Sequence, residues 1–198
     1  MPISSLKVLE FNELLKSQGK APLIDNLSKR ELENPEGCGI DLRVGEVYAL
    51  EGKGFLGVEE RKTSEAIKIA DIKEKGEITI TLPPNGYFLV KTIETIHSPG
   101  EKLEIEKGVW KYLMPVVYPR STLQNCGVGF LATKTDPGYI GQLRFGIINN
   151  RNEPFEFQLG ARMFNVVFEP VTGEIKRTYE GQWQGGTRAS TAGTEKQI

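Results

Sequence analysis

Glu77-Ile78-Thr79-Ile80-Thr81-Leu82 alternates polar and apolar side chains with a period of two, and Pro83-Pro84-Asn85-Gly86 follows it at once. Successive side chains of a strand point to opposite faces, so this stretch predicts a half-buried strand running into a turn. The same grammar continues on both sides. From about residue 39 onward the chain reads as short strands, with further ones at Tyr87 to Thr95, Val109 to Tyr118, Val128 to Thr135, Gln142 to Asn149, Pro154 to Leu159 and Met163 to Phe168. Turn residues separate nearly all of them, which predicts an all-β sandwich, jelly roll or related barrel rather than alternating βαβ units.

The N-terminus departs from this pattern. Val8, Phe11, Leu14 and Leu15 recur at helical spacing and Gly19 supplies a stop, so one short helix is expected there. Lys53 to Lys75 is charged and weakly patterned and reads as an excursion or arm. Residues 1–186 are expected to form a single domain, and 187–198, small and polar, a mobile C-terminal tail.

A chain of 198 residues with 38% hydrophobic content, nine Phe, six Tyr and two Trp has the material for one core. Its 25 basic and 26 acidic residues nearly cancel, leaving no bulk attraction for nucleic acid or an anionic membrane. Any anionic ligand needs a local basic site. No stretch nears the ~20 apolar residues that span a bilayer, and the first residues lack a signal-peptide layout, so a soluble cytoplasmic protein is expected. Cys38 and Cys126 make no disulfide framework or metal half-site and are expected to be reduced packing residues. A single histidine, His97, rules out a multi-histidine metal site and reads as a loop residue.

The segments that can carry chemistry lie between the strands. In Asp136-Pro137-Gly138-Tyr139, Pro and Gly suit the second and third positions of a tight β-turn that would hold a carboxylate and an aromatic ring on a stiff hairpin. Asp136 taken alone serves equally well as the residue that starts the turn. Tyr118-Pro119-Arg120-Ser121-Thr122 offers a guanidinium, two hydroxyls and, if a helical turn opens there, free N–H groups for a phosphate. In Gly160-Ala161-Arg162-Met163-Phe164-Asn165, Arg162 and Asn165 interrupt a buried strand and need partners or solvent. Tyr179-Glu180-Gly181-Gln182-Trp183-Gln184-Gly185-Gly186 sets aromatics and amides in a glycine-rich segment that can approach a phosphate chain or serve as a plain loop.

Together with Gly37-Cys38-Gly39-Ile40-Asp41-Leu42-Arg43, these segments in this order resemble the superfamily of dUTP nucleotidohydrolases and dCTP deaminases, from about residue 37 to 188. Leu6 to Gly19 also resembles the N-terminal helix of the deaminase branch. The resemblance implies a distorted β jelly roll that forms homotrimers with active sites between subunits. It implies that Asp136 orients and deprotonates the water attacking the α-phosphorus and that Tyr139 packs beneath the deoxyribose. Arg120, Ser121 and Thr122 match phosphate-binding positions, and Ala132 lies in the hairpin whose backbone reads the base. Arg144 and Arg162 join the expected nucleotide-binding set, and Tyr179, Gln182 and Gln184 match a segment that closes over the triphosphate. Mg²⁺ is expected to arrive mainly on the substrate, with no residue assigned as a metal ligand.

The superfamily runs two reactions, and the site residues must separate them. The zinc-deaminase signature is absent, and the deaminases resembled here use instead a glutamate on the strand after the hairpin. That position falls at Gly146, on the strand face shared with Gln142 and Arg144. Asn125 stands where the deaminases' motif ends in arginine, whereas Asn165 departs from the hydrolases' usual glutamine. The reading is dUTP hydrolysis to dUMP and pyrophosphate, with a deaminase or bifunctional enzyme and a non-catalytic nucleotide-binding relative as alternatives.

Overall fold

The computed structural model describes residues 1–181, 183–186 and 195–196. The N-terminal helix spans Ser5–Ser17, with the Ser4 side chain accepting from the Lys7 N–H at 3.2 Å as its cap. Val8, Phe11 and Leu15 are buried as the spacing predicts, but Leu14 faces solvent. Asn12 takes the inward place beside them. Its amide donates to the Ile24 carbonyl and accepts from the Ile24 N–H, so a polar group docks the helix on the short strand Ile24–Asp25. Gly19, at φ 69°, ends the helix in the left-handed region.

The all-β expectation holds. Nine antiparallel strands form one curled sheet, and its main path runs Val128–Leu131, Ile140–Asn149, Tyr87–His97, Gly39–Glu51, Arg162–Val171, Val109–Pro119 and Leu103–Glu106. Ile24–Asp25 pairs with Tyr87–His97, and Glu65–Asp71 pairs with Gly39–Glu51. The second pairing corrects part of the Lys53 to Lys75 reading, because that charged stretch supplies a regular strand and the short helix Ile72–Lys75. The alternating stretch is itself a strand over Thr79–Leu82, paired with Phe155–Gln158, and Asn85 turns the chain at φ 56°.

The core lies inside the curl. Phe164 and Phe168 are fully buried with Leu42, Leu113 and Ile147, and the Phe164 ring sits 4.5 Å from that of Phe145 and 5.2 Å from that of Phe130. Leu143, Phe145 and Ile147 face inward, as alternation along their strand requires. His97 ends a strand rather than lying in a loop, and its Nδ1 lies 3.1 Å from the Ala21 carbonyl oxygen. Both cysteines are free, but Cys38 is exposed and only Cys126 packs against the core. No described helix is long and apolar enough to cross a membrane. Most of the tail expected to be mobile lies outside the described residues, but Glu195–Lys196 pair with Glu60 and Arg61.

Phe164→Ala removes the ring on which two others pack, and unfolding in denaturant is expected to show a loss of about 3–5 kcal/mol. Trp110→Ser, at an exposed position, is expected to stay within about 0.5 kcal/mol of the parent.

Candidate active site

The hairpin between Val128–Leu131 and Ile140–Asn149 pairs as far as Leu131 opposite Gly146, then opens into an irregular tip. There the Tyr139 N–H donates to the Asp136 carbonyl at 3.1 Å, closing the turn that the Pro-Gly pair predicts. Gly138 has φ 99°, and a Cβ there would sit 2.8 Å from the Tyr179 nitrogen, so both conformation and space require glycine. Lys134 donates to one Asp136 oxygen at 2.7 Å, while the carboxylate stays accessible to solvent. The Tyr139 hydroxyl donates to the Gln142 carbonyl, and burial, reinforced by Tyr179, pushes its pKa up to about 12. Tyr139 is therefore a neutral positioning ring at physiological pH.

The C-terminal segment straps this tip. The Tyr179 N–H donates to the Pro137 carbonyl, the Gln184 amide to the Gly138 carbonyl, and the Gly185 N–H to the Ile140 carbonyl. Tyr179 meets Tyr139 edge-on at 5.7 Å. Asp136, Tyr139, Arg144, Tyr179 and Trp183 thereby line one cavity of about 450 Å³. Asp136 is the only carboxylate among its lining residues. Gln184 buttresses the tip without lining the cavity, Ala132 is exposed beside it, and Gln182 lies outside the described residues.

Arg120 and Ser121 line a different cavity, of about 470 Å³, with Arg30, Asp41 and Asn165. A short helix, Ser121–Asn125, opens after Arg120, which is the condition the phosphate reading of this segment sets. Thr122 is exposed and is not among the lining residues. The centre of this cavity is Asp41, a buried carboxylate to which no role is assigned from sequence. Its Oδ2 accepts from Arg162 at 3.0 Å and pairs with Arg120, with Arg30 at 3.9 Å, and its Oδ1 accepts from the Asn165 amide at 3.0 Å. Burial, with repulsion from Arg162 and Arg30, holds the Arg120 pKa below its ordinary value. Arg30 also pairs with the buried Glu31 at 2.6 Å and with Glu36 at 2.5 Å, and Glu36 lines the cavity, so the cluster is balanced in charge and offers an anion guanidinium donors rather than a net positive field. Gly39 makes room for the cluster, since a Cβ there would fall 1.8 Å from the Asn165 Oδ1.

Asp136, Tyr139, Arg144 and Tyr179 thus gather in one cavity and Arg120 and Ser121 in another, and the two share no lining residue within one chain, while Arg162 reaches the second only through Asp41. One is mainly apolar and aromatic with a single accessible carboxylate, as a nucleoside and a water-activating base require. The other presents the guanidiniums of Arg30 and Arg120, the donors a phosphate chain uses, beside Glu36 and Asp41. Among the described residues no group of three or more His, Cys, Asp or Glu is placed to hold a metal ion.

Comparison with known proteins points to one family. The family model for dCTP deaminase-like proteins matches residues 9–171. The chain is 29% identical to a dCTP deaminase of Pyrococcus furiosus over 177 residues, 89% of this chain and 94% of the relative. It is 28% identical to a deoxyuridine 5'-triphosphate nucleotidohydrolase of Methanocaldococcus jannaschii over 163 residues, 81% of this chain and 92% of the relative. In three dimensions it resembles the 2'-deoxycytidine 5'-triphosphate deaminase of Agrobacterium tumefaciens with a TM-score of 0.52 at 10% identity, covering 84% of this chain and 47% of that one. That likeness bears on the fold.

Gly39→Ala is expected to push the Asn165 amide off Asp41 and to lower stability by about 1–3 kcal/mol, the usual cost of overpacking. Thermal unfolding measures it, and a variant as stable as the parent would show that the Asn165 contact carries no load.

Proposed function

The chain belongs to the dCTP deaminase-like family, and within that family we propose that it hydrolyses dUTP to dUMP and pyrophosphate. The observation that carries this reading is Gly146. The family's deaminating glutamate falls at this position, where a Cβ would lie 2.4 Å from the Tyr87 hydroxyl oxygen. The neighbouring strand therefore fills the volume an acid would need. With Asp136 the only carboxylate among the lining residues of the cavity, the site is equipped for one carboxylate base acting on water and has no second carboxylate there to exchange protons with a ring nitrogen.

In this reading the nucleoside enters the cavity of Asp136 and Tyr139, with its sugar against the Tyr139 ring and its base near the backbone around Ala132. Asp136 accepts the proton of a water whose oxygen attacks the α-phosphorus. The bond from that phosphorus to the bridging oxygen breaks, and pyrophosphate leaves. Lys134 fixes the carboxylate's orientation through the bond it donates. Arg120 and Arg162 are the cations that balance phosphate charge as it redistributes, and Asp41 holds them in place. Mg²⁺ fits as the triphosphate's own counter-ion and would neutralise charge on the leaving group; the described acids form no cage for it.

Since the two cavities share no residue, we further propose a homotrimer in which the hairpin cavity of one copy meets the arginine-lined cavity of the next. Closed cyclic symmetry then gives equivalent sites. A cytoplasmic location, where free deoxynucleotides are found, suits this activity.

With Mg²⁺, dUTP is expected to yield dUMP and pyrophosphate and dCTP to yield no ammonia. Asp136→Asn should preserve melting temperature and nucleotide affinity while lowering turnover by about 10²–10⁴-fold, because Asn keeps the turn but cannot take the proton. Steady ammonia release from dCTP, or an Asp136→Asn enzyme near wild-type turnover, would contradict the proposal.

A further inference from the structure

Arg144 is a guanidinium that the fold leaves short of acceptors. It lies on the strand face it shares with Gln142 and Gly146, is half-buried and lines the Asp136 cavity. Its Nε is buried with no hydrogen-bond partner, and among the described residues no hydrogen bond or ion pair reaches the rest of its side chain. What fixes it is the Tyr48 ring, whose centre lies 4.9 Å from the guanidinium carbon. The carboxylates around that ring are already engaged. Glu46 takes bonds from Lys91, Lys68 and the Tyr48 hydroxyl, and Asp71 pairs with Lys68. A buried guanidinium donor without an acceptor is costly, so the arrangement calls for an acceptor from a ligand.

The surroundings define that acceptor. Leu89, Leu143, Phe145, Tyr139 and Tyr179 make this cavity mainly apolar, which suits a flat ring, whereas the other cavity is polar, lined by Arg30, Arg120, Glu36 and Asp41. The strand pairing places Leu131 opposite Gly146, so Arg144, two residues earlier, comes level with the opened hairpin around Thr133. Both Arg144 and Thr133 line the cavity. A guanidinium can only donate. A pyrimidine with a carbonyl at C4 offers it an acceptor, and one with an amino group at C4 sets donor against donor.

We propose that Arg144 is a specificity-determining residue that selects uracil over cytosine by donating to the C4 carbonyl oxygen of the base. The inference rests on the reading of this cavity as a pyrimidine deoxynucleotide site. Its energetic logic is that a site built to hydrogen-bond a particular group penalises the analogue that lacks it. The contact forms in the bound substrate and persists through attack at the distant phosphorus, so it strengthens binding and leaves the chemical step largely alone.

The test compares wild type with Arg144→Met and Arg144→Lys, titrating dUMP and dCMP by calorimetry and following pyrophosphate release from dUTP. Arg144→Met is expected to weaken dUMP binding about tenfold or more, to change dCMP binding by less than about twofold, and to raise KM for dUTP more than it lowers kcat. Arg144→Lys keeps the charge without the planar fork and should recover part of the preference. The unliganded melting temperature of Arg144→Met should not fall by more than a few degrees, since no hydrogen bond is lost. Should the Met variant fail to fold, the Lys variant's uracil-to-cytosine ratio decides the question, and a wild-type ratio overturns the proposal. Equal losses for dUMP and dCMP, or an unchanged ratio in Arg144→Met, likewise overturn it while leaving dUTP hydrolysis by the wild type intact. A wild type that binds no uridine nucleotide removes the ground for both readings.

Discussion

A single buried carboxylate organises the arginine-lined half of this molecule. Asp41 sits on the Gly39–Glu51 strand between Tyr87–His97 and Arg162–Val171, and it gathers Arg30, Arg120 and Arg162 from widely separated parts of the chain. Burying an isolated carboxylate costs about several kcal/mol, and clustered guanidiniums repel one another, so neither half of the cluster is stable without the other. Once formed, it locks the start of the Arg162–Val171 strand against its neighbours and holds Arg30 and Arg120 at the wall of a cavity. The same interaction that helps fix strand order therefore places guanidinium donors where the proposed function needs them. Gly39 and Asn165 serve this cluster too, the first by having no Cβ and the second by donating to Asp41.

The hairpin half obeys a different constraint. Its tip cannot continue the ladder past Leu131, so its conformation depends on the Asp136–Tyr139 turn and on the bonds from Tyr179, Gln184 and Gly185. Those bonds bring aromatic rings over an accessible carboxylate without burying it. In the proposed function each half binds one part of a nucleoside triphosphate and is incomplete as a catalytic centre. The proposed homotrimer, with each hairpin meeting a neighbour's arginine-lined cavity, would join them.

How much of this was legible in the sequence follows from the range of each interaction. The Asp136–Tyr139 turn, the alternation of Leu143, Phe145 and Ile147, and the helix opening after Arg120 are local, and local chemistry predicted them. The role of Asp41 was not legible, because its Arg162 partner lies 121 residues away and no periodic pattern links them. The closeness of Tyr87 to Gly146 depends on the register between two strands and is invisible without it. The Glu65–Asp71 strand was hidden by its charge, since Ile67 and Ile69 are partly exposed and the strand buries little. Arg144 could be placed on the correct face from alternation alone, but its lack of an acceptor is a property of the packed structure.

The proposed activity depends most on the joining of the two half-sites, and subunit mixing tests it directly. Asp136→Asn damages only the hairpin half and Arg120→Ala only the arginine-lined half, so each variant alone should be nearly inactive. Refolded together in equal amounts, random closed trimers should place an intact hairpin against an intact arginine-lined cavity at about a quarter of the sites and recover about that fraction of wild-type dUTP turnover. A mixture as inactive as its parents, with light scattering showing that the subunits do co-assemble, would mean that the halves are not joined between copies.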